Sequence, residues 1–202
     1  METVAKRNSN LISIYTEEIL FNEIKSETPN VELIENILKN TPELDLNRLN
    51  EDGHHIVILA AIHGHTKVLK VLLRDERIDV NNHENIFKDV VLWNDKVLLK
   101  LLLDHPLFDP TVTNEEGVNA FMFASGSLPV LKKLFKLKPN VNINHRDKEG
   151  QSLLQWALWD KDSKVIEFLL KIPGIDLKLS NPYSWHRLDS SFKKKFPQLD
   201  PK

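Results

Sequence analysis

Apolar residues in this chain come in short runs at helical spacing, and the runs come in pairs. The segments DGHHIVILAAIHGH (52–65), EGVNAFMFASGS (116–127) and EGQSLLQWALWDKD (149–162) share one order: turn glycine, capping-type residue, apolar run, small residue, polar stop. An alanine follows each glycine by seven positions, in the pairs Gly53 and Ala60, Gly117 and Ala124, Gly150 and Ala157. Second runs follow, KVLKVLL (67–73), VLKKLF (130–135) and SKVIEFLL (163–170), and then the loops IDVN (78–81), VNIN (141–144) and IDLK (175–178). Each unit is therefore predicted as helix, turn, helix, extended loop.

Gly53 to Gly150 spans three units of about 32 residues each. A weaker copy lies between the first and third, where VLWND (91–95), VLLKLLL (97–103) and FDPT (108–111) keep the two-helix pattern behind a shortened hairpin without its glycine. Upstream, VELIENIL (31–38) and LDLN (44–47) form the second half of another unit, giving about five.

The repeat resembles the ankyrin repeat, with its G-x-T-P-L-H-x-A motif, G-H turn, V-x-x-L-L helix and D-V-N loop, over roughly residues 31–178. The resemblance implies an all-α ankyrin-repeat solenoid in one domain over 1–202. Its expected parts are an N-terminal capping unit (1–47), repeats at 48–81, 82–112, 113–145 and 146–178, and a C-terminal cap (179–202). Where the family opens its first helix with Thr-Pro, this chain has His55-Ile56, Asn119-Ala120 and Ser152-Leu153. Asn119 and Ser152 are good caps, Ser152 with Gln155 forms a capping box, and His55 is the poorest cap of the three. The family's loop-tying histidine is replaced by Ile58, Phe123 and Gln155, which predicts looser order between loops.

At the front, LISIYTEEILFNEI (11–24) puts Leu11, Ile12, Tyr15, Ile19 and Leu20 on one helical face, and Thr28-Pro29 is expected to cap the next helix. At the back, residues 181–196 are expected to form one capping helix with Trp185, Leu188, Phe192 and Phe196 on its apolar face.

Composition narrows the setting. A hydrophobic content of 41% over 202 residues suffices for a core only if neighbouring units share it. The net charge of −2 carries no field that favours nucleic acid. The absence of cysteine removes disulfides, thiol catalysis and cysteine zinc sites. The longest apolar run, IVILAAI (56–62), is far short of the roughly 20 residues that cross a bilayer. A monomeric cytoplasmic protein is the expectation, in the host cell cytoplasm if the chain is a bacterial effector.

Candidate chemistry is sparse. His54, His55, His63 and His65 crowd into one unit, but His65 fits the repeat's G-H turn and the four need not converge, so no metal site is expected. No catalytic residue and no cofactor motif stands out. Lys193, Lys194 and Lys195 read as a solvated helix face, not a nucleic-acid patch. Trp93 and Trp159 are assigned to the slot that His63 fills in the first full unit, which by resemblance faces the concave groove. Glu51, Asp52, Glu115, Glu116, Lys148 and Glu149 form the hairpin tips beside it, with His54 at the first hairpin. These residues predict a non-enzymatic protein-binding module, an adaptor or a host-directed effector, for a partner with basic and apolar contact residues. A self-assembling structural protein and a histidine-based metal-dependent enzyme are the alternatives.

Overall fold

A computed structural model describes residues 17–179, 183–186 and 188–200. They are helical, and among them the only β pairings are isolated antiparallel bridges, Leu49 with His55, Thr113 with Asn119 and Arg146 with Ser152. The chain divides into two compact units, Met1–Phe108 and Asp109–Lys202, the division falling inside the loop expected to close the 82–112 repeat.

In the first unit, α1 (17–25) is followed by α2 (Val31–Asn40), α3 (Ile56–Ile62), α4 (Thr66–Leu72), a π-helical turn (His83–Phe87) running into α5 (Lys88–Leu92), and α6 (Lys96–Leu103). In the second, α7 (Ala120–Phe123), α8 (Leu128–Leu137), α9 (Leu153–Asp160) and α10 (Ser163–Leu169) precede α11 (Tyr183–His186), α12 (Ser190–Lys195) and a 3₁₀ turn (Pro197–Leu199). First helices of neighbouring repeats touch, as α7 does α9, and so do second helices, as α2 does α4, α4 does α6 and α8 does α10. This layering explains the all-apolar α3, whose residues Ile56 to Ala60 are all buried between neighbours. It also explains the alanines: Ala60, Ala124 and Ala157 are wholly buried where first helices stack.

The repeat lacking a glycine has no described β-bridge. Its chain passes from the 78–81 loop directly into the π turn, whose wider i→i+5 geometry takes up an extra residue and buries Ile86 and Phe87 together. Asn82 accepts from the Asn85 N–H at 3.3 Å at its start.

Several sequence expectations need correction. Asn30, not Thr28-Pro29, caps α2, its side chain accepting from Leu33 N at 3.0 Å. In α1, Leu20 and Ile24 are buried whereas Ile19 is 37% exposed, so the face lies further along than expected; Leu11, Ile12 and Tyr15 fall outside the described residues. The C-terminal helix is two short ones, because Asp189 accepts from Phe192 N at 2.9 Å and starts a new helix. Trp185, Leu188 and Phe196 are still buried as expected, and α11 packs on α9. The position five residues after the repeat glycine is held by Ile58, Met122 and Gln155, all buried, so Met122 and not Phe123 occupies it.

His55 proves an effective cap: Nδ1 accepts from Val57 N at 3.2 Å, which leaves Nε2–H facing Asn47 Oδ1 at 3.4 Å. Burial holds its pKa at about 4, against the ordinary 6.5. Protonation would place a hydrogen on the nitrogen that caps α3.

Loop order is also tighter than expected. Asn47 donates to Arg77 O at 2.6 Å and accepts from Asp79 N at 2.7 Å. One repeat pair further in the second unit, Asn144 donates to Gly174 O at 2.8 Å and accepts from Asp176 N at 2.8 Å. Asn81 donates likewise to Leu107 O at 2.9 Å. Each loop asparagine thus satisfies backbone groups of the following loop, replacing the family histidine as the tie.

Two predictions follow from these ties. Asn144→Ala leaves a backbone donor and acceptor without their partner and should cost about 1–2 kcal/mol in denaturant unfolding. For His55, both folded and unfolded chains are neutral above pH 6.5; as pH falls toward about 4 only the unfolded chain gains a proton, so stability present at neutral pH is lost. His55→Thr keeps a capping oxygen and should remove about 3 kcal/mol of that acid-side loss, read as a flatter dependence of unfolding free energy on pH. An unchanged slope would place the titration elsewhere.

Candidate functional site

The hairpins that open three of the repeats end in tips of one construction. Asn50, Asn114 and Asp147 each stand three residues before the glycine and fold back on the turn. Asn50 Oδ1 accepts from Asp52 N and His54 N at 3.0 and 2.8 Å, and Asn114 Oδ1 from Glu116 N and Val118 N at 3.0 and 2.9 Å. Asp147 Oδ1 does the same for Glu149 N and Gln151 N at 3.0 and 2.8 Å. Gly53, Gly117 and Gly150 close the turns with φ of 78°, 78° and 76°. At Gly117 a Cβ would also come within 3.2 Å of the Asp147 backbone, so glycine is needed there twice over. The side chains carried by these fixed turns, Glu51, Asp52, Glu115, Glu116, Lys148 and Glu149, are all exposed.

In the first unit, Asp52 forms an ion pair with Lys25 at 3.2 Å. The half-buried His54 ring meets the Trp93 indole edge-on at a centroid distance of 6.4 Å. Asp89 lies close to this pair, its carboxyl raised by burial and held back by the charges of Lys88 and His54. Trp93 is 47% exposed, and at the ends of α3 and α5 Ile62 and Leu92 are 48% and 67% exposed. His63 stacks on His65 at 5.7 Å, and His65 Nε2 donates to Ser26 O at 3.0 Å, so this ring is engaged in the turn.

In the second unit, neighbouring tips are tied directly. Lys148 N donates to Glu116 O at 2.9 Å, and His145 Nε2 to Gly117 O at 2.8 Å. Trp156 donates to Asp147 Oδ2 and Trp159 to Gln151 Oε1, both at 2.9 Å, so both indoles are half-buried against their own hairpin. The ring of Phe123 lies edge-on to Trp156 at 6.2 Å.

The backbone also resets the register of the tryptophans. Left-handed residues end α3, α5 and α9 at Gly64 (φ 69°), Asn94 (φ 54°) and Lys161 (φ 56°). Counting back one residue, His63 and Trp93 share a slot, and the last repeat fills it with Asp160. Trp159 stands one position earlier, with Ile62 and Leu92. Asp160 Oδ2 accepts from Ser125 Oγ at 2.5 Å, linking the turns of adjacent repeats. Sequence alignment misses this offset because Lys161 takes a left-handed conformation without being glycine.

Among the described residues, no three His, Asp or Glu side chains converge in a way that could hold a metal. No described helix is long and apolar enough to cross a membrane. The lysine run is partly engaged, Lys193 donating to His186 O at 3.0 Å and Lys195 pairing with Glu167 at 2.8 Å.

What the sequence reading lacked was the asparagine or aspartate three residues before each glycine, a signal that was present in it. These groups present side chains on fixed backbone and offer hydrogen-bonding and apolar contacts to another surface. Residues 90–181 match the family model of ankyrin repeats in three copies. No curated protein matches the sequence at a significant level. The matched segment coincides with helix-pair units of the structure, and residues 90–181 are ankyrin repeats by that match.

Proposed function

We propose that the chain is a non-enzymatic protein-binding module whose contacts lie on the hairpin tips and the adjoining ends of the first helices. Ankyrin repeats in general mediate protein–protein interaction, which sets the class. The observation that carries the finer reading is the exposed apolar group Ile62, Leu92 and Trp93 in the first unit, flanked by the acidic tip residues Glu51 and Asp52. Three large apolar side chains left exposed at the ends of the first helices α3 and α5 are costly in water unless a partner covers them. Carboxylates at the rim suit a partner with basic side chains around an apolar anchor. His54 supports the Trp93 ring from the side, and His63 borders the same surface. In the second unit Trp159, Glu115, Glu116, Lys148 and Glu149 form the corresponding surface, with Trp159 fixed by its bond to Gln151.

Fixed tips favour such binding because little conformational entropy is lost on association. Trp93 is the residue expected to supply affinity, since aromatic anchors dominate interface energetics, while the acidic rim acts on association rate.

With a partner isolated by pull-down, Trp93→Ala should weaken binding by about 2 kcal/mol, a factor of roughly 30, without shifting the melting temperature. Charge reversal of Glu51 and Asp52 should instead slow association and steepen its recovery at low salt less than in the parent chain. Normal binding kinetics in both variants, with parent-like melting, would contradict the site.

A further inference from the structure

The second helices of the second unit carry a surface of opposite character. A second helix of a stacked repeat buries one stripe and leaves a polar face to water. In α8, Val130, Leu131 and Leu134 are buried, and in α10 so are Val165, Ile166 and Leu169. Yet Phe135 and Phe168 stand beyond these stripes, their rings 5.6 Å apart. With Val141, Ile143, Ile172 and Pro173 from the loops that follow, they line an open groove of about 400 Å³. Leu137 adds a further 41% exposed apolar side chain at the end of α8. Phe135 is also held from below by Phe121 at 5.0 Å, so the floor is anchored in the core.

Around this groove the charged side chains outside ion pairs are lysines. Lys132 places Nζ 5.9 Å from the centroid of Phe168. Lys136 and Lys171 adjoin Phe135 and Ile172 in the chain, and Lys133 and Lys164 lie exposed on the same two helices. Among the described residues, none of these five lysines has a carboxylate within ion-pair distance. The one acid on α8 or α10, Glu167, is paired with Lys195 at 2.8 Å, and the nearby Asp109 and Asp176 are paired with Lys138 and Arg146 at 3.0 and 2.8 Å. Unneutralised lysines around an apolar cleft call for an occupant that is both acidic and apolar.

We propose that this groove binds a short acidic segment of a partner protein, with aromatic or aliphatic side chains entering between Phe135 and Phe168 and carboxylates meeting Lys132, Lys136 and Lys171. The site is separate from the tips, so a partner recognised by the acidic tips and one recognised here have opposite charge. A recessed cleft favours inserted side chains over a flat lipid surface, which has nothing to fill it.

The test is a selection of short displayed random peptides on the full chain, followed by affinity measurement of the enriched peptides in solution. Peptides in which Asp or Glu alternate with Leu, Phe or Trp are expected. Their affinity should fall at least about tenfold with Lys132→Glu plus Lys136→Glu, a surface change that spares the core, and should be unaffected by Trp93→Ala. Loss on Trp93→Ala but not on the lysine changes would assign binding to the tips and overturn the groove. Enrichment of basic peptides, or of none with acidic and apolar character, would overturn it as well. So would lysine-dependent co-sedimentation with phosphatidylserine vesicles in place of peptide binding, or lysine-dependent self-association in sedimentation, since these give the groove to lipid or to a second copy.

Discussion

Everything in this chain depends on the fact that its helices are too short to stand alone. α7 has four residues, α3, α4 and α10 have seven, and α2 and α8 have ten. Isolated helices below about 12–15 residues are marginal in water. Each therefore exists because neighbouring repeats bury its apolar side, and wholly buried Ala60, Ala124 and Ala157 mark where that approach is closest. The repeat lacking a hairpin obeys the same constraint by another route, putting Val90 at the stacking position and using a π turn to bring both Ile86 and Phe87 inside.

Stacking leaves the loops with many backbone groups that no regular structure satisfies, and side chains meet that need in a repeating way. Asn47, Asn81 and Asn144 bind the loop that follows each of them, and Asn50, Asn114 and Asp147 bind back across the tips. Basic side chains close helix ends: Arg77 donates to Thr41 O and Leu38 O at 2.7 and 2.8 Å, and His105 to Leu73 O at 2.9 Å. The same bonds that satisfy the backbone fix the turns that carry the tip side chains. Under the proposed function, stability and recognition share these residues.

Much of the fold was legible because apolar period and turn glycine are local signals. The paired runs, the hairpins around Gly53, Gly117 and Gly150 and the buried alanines all lie where the pattern put them. What escaped depends on contacts between repeats. His55 looked a poor cap because its value comes from its burial and from Asn47 in the preceding loop, which a rule for helix caps does not read. Looser loops were expected from the missing family histidine, although the loop asparagines were visible at a regular interval. The candidate tips could be named from sequence, but the offset of Trp159 from Trp93 could not, because it turns on a left-handed lysine. The Phe135 and Phe168 groove was hidden too: both residues look like core when read as helical spacing alone.

The central claim is that the tips are preorganised, and amide hydrogen exchange tests it most directly. The N–H groups of Asp52, His54, Glu116, Val118, Glu149 and Gln151 all donate to side chains within the turn. Protection of these amides well above that of an unstructured chain, in the free protein at neutral pH, is the expected result. Exchange at the rate of an unstructured chain, beside protected helices, would contradict a surface fixed in advance of its partner.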